Sequence, residues 1–524
     1  MPSPGHRESK MHPVRRRHFA ALNLTLFAFL IAGCGSSQFG TVTSTANPLV
    51  ALYSVNPALR GTVTVEFGET TEYGRSTSPV ATTVGPTMVQ VAGMKQNTSY
   101  HMRARADYDN GTSQVDVDHV FTTGTLSAGL IPSFTVSTTS GLTPQPGVEM
   151  VNTIAGSAAL STAFATDLEG NVIWAYPAAD PTKISALLPV KLLPNGHFMG
   201  LMAPPVYNGP PAAGTLNDIR EFDLVGNTIR SLTMSDLNAK LAAAHFNISL
   251  QLFSHDFAYL PNGHILVLAD LTKQFTDLPG YPGVTTVLGD AVIDLDTNLN
   301  PVWVWNEFDH FDINRHPMQF PDWTHSNSIA YSPDDGNFVV SIRHQFWVVK
   351  VDYRDGGGTG NVLWKLGQGG DFKLEGATDP TDWFYAQHDA NFVSANTTGS
   401  FKLAMLDNGD SRRFPANVIC NGPGAPPCLY TTVPVMQVDE NAKTASFLFH
   451  QVLPVPFYNG FAGSNRVLEN TDVEYNLAAV GGTDGYTSEI TQTATPQTVW
   501  QMRIPHNNTY RSIRMPSLYP GVQW

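Results

Sequence analysis

The sequence predicts an all-β protein: a six-bladed β-propeller preceded by a small immunoglobulin/fibronectin-III-like β-sandwich domain. Three observations predict it. Gly (44) and Pro (37) are frequent while charged residues make up only 14% of the 524-residue chain, a composition of short strands and many turns. Short apolar-alternating segments recur throughout. A strand–turn–strand element ending in Trp or another apolar residue repeats about every sixty residues, six times.

Residues 1–33 read as a lipoprotein signal peptide. Arg15, Arg16 and Arg17 precede an apolar run, Phe19 to Ile31, too short to span a membrane as a mature helix. The run ends at Ile31-Ala32-Gly33-Cys34, which resembles a bacterial lipobox and implies cleavage before Cys34 and lipidation of its thiol; an ordinary secretory signal is the alternative. That places the protein in the periplasm, anchored to a membrane, with the outer membrane mildly preferred because no aspartate follows Cys34. Losing this segment removes five basic groups and one acid, leaving 25 basic and 43 acidic side chains, a net charge of −18. So acidic a chain is unsuited to general nucleic-acid binding, which needs a basic face. Any anionic substrate needs locally placed cations. In an oxidising compartment, Cys420 and Cys428 are expected to form a disulfide that pins a loop.

Residues 34–46 read as a Ser/Thr-rich tether. Residues 47–125 read as the sandwich, with alternating strands such as Val63–Phe67, Thr87–Val91 and Tyr100–Ala106, and a turn at Asn110-Gly111. Gly93–Tyr100 resembles the entry to a tyrosine corner. Residues 126–145 read as a linker, and 146–524 as the propeller. Its repeats are Asp167–Trp174, Asp223–Ile229, Asp294–Trp305 and Asp352–Trp364, with fainter copies at Asp439–Phe449 and Glu489–Trp500. A second hairpin, around Leu193–His197 and Leu260–His264, precedes some of them. Two hairpins per repeat make a four-stranded blade, and radial closure removes exposed edges. The faint last copies leave five or seven blades open.

Three histidines fall at one phase of consecutive blades: His255, His325 and His388 each open the strand of an inner hairpin. Inner strands line the central channel, so their starts converge on one mouth. Because the second strand of a hairpin returns to where the first began, Arg343 is predicted beside His325, where neighbouring blades place Asp270 and Asp407. A guanidinium offers a planar fork for two oxyanion oxygens, protonated imidazoles add single donors, and a neutral imidazole can attack. Two other readings stay open at this point: histidines used only for packing, and a metal site, which Arg343 opposes. His197, His264 and His450 read as turn or packing residues.

The strings Ser254-His255-Asp256, Asp322-Trp323-Thr324-His325-Ser326-Asn327, Ser341-Ile342-Arg343-His344-Gln345, Gln387-His388-Asp389-Ala390 and Leu406-Asp407-Asn408-Gly409 resemble bacterial PAPS-independent arylsulfate sulfotransferases. The resemblance implies ping-pong transfer of a sulfuryl group from a phenolic sulfate donor to a phenol acceptor, without metal or nucleotide cofactor. It implies that His388 becomes transiently sulfated, supported by His255, His325, Arg343 and Asn327, with Thr487 near the end of the propeller at the substrate. A short disulfide loop after the nucleophile also fits Cys420 and Cys428. Two alternatives differ in class: a propeller lipoprotein that binds a partner through its rim without catalysis, and a sulfate-ester hydrolase on the same site. The sequence leaves the oligomeric state open, a homodimer included.

Overall fold

A computed structural model describes residues 39–154, 163–177, 186–203, 216–412, 414 and 429–524. Cys34, Cys420 and Cys428 lie outside them, as do the leader, the lipidation and the disulfide expected there.

The N-terminal sandwich packs a three-stranded sheet (Gly40–Ser44, Ala51–Val55, Thr87–Val91) against one built on Gly61–Gly68 and Ser99–Tyr108. Alternation decides which side chains turn inward: Tyr100, Met102, Ala104 and Ala106 are buried while the residues between them are not. The Tyr100 hydroxyl accepts the Lys95 N–H at 3.0 Å, the corner expected from the sequence. The domain starts earlier than predicted, because Gly40–Ser44 of the expected tether pairs in register with Ala51–Val55.

Among the described residues six blades follow, four of them four-stranded and two carrying a fifth, outer strand. Their inner strands are Thr509–Met515, Ala186–Leu192, Leu252–Tyr259, Ser326–Ser332, His388–Phe392 and Ser464–Val467 for blades one to six, each in contact with the next around a closed ring. Blade one combines three early strands with the last one: Val148–Thr153 pairs with Thr509–Met515, so the C-terminus closes the circle. Part of the expected linker is strand, since Thr135–Thr138 extends the outer edge of blade six.

The Trp repeat proves to be a latch between blades. Trp174, Trp305, Trp364 and Trp500 lie on outer strands, and each indole N–H donates to the outer hairpin of the next blade: to Leu224 O, Gly360 O, Glu440 Oε2 and Leu168 O, at 2.7–2.8 Å. A buried indole needs such a partner, and the Asp-led turns supply it. Among the described residues no helix is long and apolar enough to cross a membrane.

Candidate active site

The inner strand of blade three is bulged at His255, and that of blade four just after His325. Pairing jumps from Phe253↔Ala269 to Phe257↔Val267, and from Ser326↔Ile342 to Ser328↔Ser341. His255 and His325 adopt φ of +50° and +53° there, a conformation rare for side-chain-bearing residues that turns their rings toward each other. The ring centroids are 4.5 Å apart. The Arg343 N–H donates to His325 O at 3.3 Å, so the hairpin returns Arg343 to the predicted place. A further imidazole, which sequence reading passed over, joins them: His344 stacks on His325 with centroids 4.7 Å apart.

His388 is buried, and its surroundings fix its tautomer. Asn408 donates through Nδ2 to Asn459 O (2.9 Å) and Ala462 O (3.0 Å), so Oδ1 faces His388 Nδ1 at 2.6 Å and accepts its proton. The lone pair is then on Nε2, where the Ala462 N–H donates at 3.2 Å. Burial drives the pKa of His388 well below the ordinary histidine value, and Arg343 adds to this; Asn408 opposes it, and His325 and His255 push the same way as Arg343. His388 therefore carries its proton on Nδ1 and presents a lone pair on Nε2.

The guanidinium of Arg343 is less open than the sequence suggested. Its Nη2 donates to Asp410 Oδ2 at 2.6 Å and to Gly460 O at 3.0 Å, and Nη1 bonds His344 Nε2. Its Nε is buried without a hydrogen-bond partner among the described residues. Burial raises the pKa of Asp410 against the pull of Arg343, and the Tyr458 hydroxyl donates to it at 2.6 Å. A second acid enters beside the histidines. His325 Nδ1 meets Asp322 Oδ2 at 2.5 Å, and His344 Nδ1 donates to Asp322 O at 2.8 Å. Burial would raise the pKa of Asp322, but His325, then His344 and Arg343, outweigh it and hold the carboxylate below its usual range.

Asp322, His325 and His344 present possible metal-ligand atoms within 4.8 Å of one another. Those atoms are already bonded to each other, to the Asp322 carbonyl and to Arg343, and a fixed guanidinium opposes a cation. The arrangement suits an oxyanion better.

The predicted neighbours of the other histidines are displaced. Asp407 is held by Arg412, Thr432 and the Tyr385 N–H, and it is Asn408 that meets His388. Asp270 sits with Asp290 in a buried acid cluster behind His255, where burial and then Asp290 push its pKa well up. Ser254 Oγ lies 2.6 Å from His255 Nδ1, between the two. Burial lowers the pKa of His255 well below the ordinary value, with His325 next in effect.

One residue further along, the inner strands carry a layer of ion pairs around the axis. Arg511 contacts Asp256 (3.0 Å) and Asp389 (3.3 Å), Lys191 pairs with Asp256 (2.6 Å), and Arg466 with Asp389 (2.8 Å). Arg511 also donates to Asn327 O at 2.5 Å, while the Asn327 side chain donates to Gln387 O at 2.7 Å. Asn327 thus ties blade four to the residue before His388. All six inner strands contribute to this layer, and Tyr510, next to Arg511, bonds His255 O at 2.9 Å. Thr487 is not part of the cluster. It is buried in the third strand of blade six and bonded by Asn476 Nδ2 at 3.1 Å.

Histidines and a guanidinium gathered at the axis of a closed propeller make a site suited to an oxyanion. The family described as arylsulfotransferase (ASST) matches residues 136–511, and this chain belongs to it. Membership makes it an arylsulfotransferase in the general sense. No curated protein sequence matches it. Among solved structures it is similar to an auxiliary nutrient binding protein from Bacteroides ovatus (10% identity, 88% of this chain and 83% of that one, TM-score 0.31). It is also similar to a Synechocystis apocarotenoid oxygenase variant (11%, 92% and 97%, 0.33) and to Kuenenia stuttgartiensis hydrazine synthase (10%, 68% and 79%, 0.31). These scores carry no argument.

Proposed function

We propose that the protein moves a sulfuryl group from a phenolic sulfate ester to a phenol by a ping-pong mechanism through sulfo-His388. The observation that carries this reading is the neutral His388 imidazole, with Nδ1–H held by Asn408 and Nε2 left as the basic nitrogen. Sulfuryl transfer should resemble phosphoryl transfer, with a loose in-line transition state and charge on the peripheral oxygens. His388 Nε2 attacks sulfur, the ester S–O bond breaks with its electron pair on the phenol oxygen, and an N–S bond forms. The Ala462 N–H now on Nε2 gives way as sulfur arrives. Arg343 and the neighbouring histidines face the oxygens, and their fixed positions reduce reorganisation as charge develops. A second phenol then attacks sulfo-His388 and restores the free imidazole. A phenolate leaves easily, so neither metal nor nucleotide enters the scheme. Lipidation of Cys34, a periplasmic site of action and a Cys420–Cys428 disulfide belong to the same reading.

The test is product analysis with 4-nitrophenyl sulfate. With phenol present, nitrophenolate release is expected to match phenyl sulfate formation. Equal release without phenol, yielding inorganic sulfate, would mean a hydrolase; no release at all would favour a binding protein. Asn408→Ala should lower kcat for transfer by roughly 10²-fold or more, because the imidazole can then carry its proton on the attacking nitrogen. Initial rates check this, and wild-type kcat in that variant would contradict the tautomer argument.

A further inference from the structure

A weakly acidic phenol takes up a proton as it departs, and the four imidazoles differ in their ability to supply it. His388 uses one nitrogen to attack and commits the other to Asn408. His344 has Nδ1 on Asp322 O and Nε2 on Arg343. His255, like His388, is buried in surroundings that keep it neutral. His325 stands apart. Its side chain is 21% exposed, its Nδ1 is held by the Asp322 carboxylate at 2.5 Å, and among the described residues no hydrogen bond engages its Nε2.

We propose that Asp322 is a positioning residue for the transfer: by holding Nδ1–H of His325 it directs Nε2–H toward the leaving oxygen and makes His325 the proton donor. This rests on the sulfuryl-transfer reading above. Asp322 is well placed for the task, because its backbone carbonyl also fixes His344 against the other face of His325, so the ring is held by a hydrogen bond and a stack together. An orienting carboxylate of this kind sets a tautomer and provides a counter-charge to the imidazolium, as in serine-protease triads. The groups that act on His325 come from every side. His255 and the buried Asp290 approach from blade three, Arg343 and His344 from blade four, and His388 from blade five. The Arg343 guanidinium is itself paired with Asp410, which lessens its opposition to a second cation nearby.

The proton balance closes over a full turnover. When the ester S–O bond breaks, the Nε2 proton passes to the phenol oxygen, and His325 is left neutral with its Nδ1–H still donated to the Asp322 carboxylate. When the acceptor attacks sulfo-His388, its hydroxyl proton returns to His325 Nε2 as the N–S bond breaks.

The experiment measures the first half-reaction of the full-length enzyme with two donors. Phenyl sulfate releases a phenol of tyrosine-like acidity, pKa about 10, which needs protonation as it leaves. 4-Nitrophenyl sulfate releases a far more acidic phenol, which does not. Asp322→Asn is expected to slow sulfo-enzyme formation from phenyl sulfate by about 10²-fold or more, and from 4-nitrophenyl sulfate by less than about tenfold. The loss with phenyl sulfate should be largely restored in Asp322→Glu, which returns a carboxylate to His325 Nδ1. Equal losses with both donors, or no recovery in Asp322→Glu, would overturn the role of Asp322. If Asp322→Asn does not fold, His325→Gln must show the same split between donors, and its absence there overturns the proposal equally. Wild-type enzyme that forms no sulfo-histidine from either donor would instead defeat the transfer reading itself.

Discussion

His388→Asn is expected to leave the protein unable to take up a sulfuryl group. After wild-type protein is mixed with 4-nitrophenyl sulfate and no acceptor, intact-mass measurement should find one sulfuryl adduct, mapped to His388 after proteolysis. The variant should show none, and its transfer rate should fall by about 10⁴-fold or more, the scale seen when a covalent nucleophile is removed. Asparagine is the informative replacement, because it is polar, smaller than histidine, and has no basic nitrogen. His388 lies at 2% exposure between Asn408 and the Ala462 N–H, so a polar side chain retains part of that hydrogen bonding. An adduct of equal yield in the variant would move the nucleophile to another histidine. His255 would then be the next to examine, being neutral and 4.5 Å from His325.

Arg511→Met should be the most destabilising single change among the residues discussed. Arg511 is fully buried, touches carboxylates from blades three and five, and donates to the backbone of blade four. Burial alone would suppress its charge, and Asp256, Tyr510 and Asp389 together outweigh it, so its pKa stands raised. Removing one partner of a buried charge set leaves the others uncompensated, at a cost of about 3–5 kcal/mol. Among cations of the described residues, Asp256 would keep Lys191 and Asp389 would keep Arg466. The site of the change adds to the effect, since Thr509–Met515 is the strand that closes the ring. Urea or thermal unfolding of both proteins measures the difference; a loss below about 1 kcal/mol would show that the axial ion pairs contribute little beyond packing.

Much of the architecture was legible from residue order. Asp-led turns before Trp174, Trp305 and Trp364 marked outer hairpins, and the Pro-Asn-Gly turns marked inner ones. These signals are local: a few neighbouring residues set the turn and the alternation that follows it. Hairpin arithmetic likewise placed Arg343 beside His325, because antiparallel return is a matter of counting. The in-phase histidines of blades three, four and five were readable for the same reason.

What failed or stayed hidden was non-local. Asn408 displaces Asp407 at His388 because blade five carries an extra residue in its inner strand, where pairing passes from His388↔Leu406 to Asn391↔Ala404. Asp322 lay inside a quoted motif without a role, although its position three residues before His325 was a usable hint. Thr487 was placed by resemblance in the blade whose repeat is faintest, and the fold puts it in the third strand from the axis.

The sequence alone determined that this is a β-propeller bringing histidines and Arg343 together at its axis, because hairpins are short-range objects and repetition multiplies them. Only the tertiary structure decided which atoms face one another there. The closing strand brings Tyr510 and Arg511 against His255 and Asp256 across a separation of 255 residues. Tautomers, ion pairs and the engagement of Arg343 by Asp410 follow from that closure, which a chain can reach only once all its blades are formed.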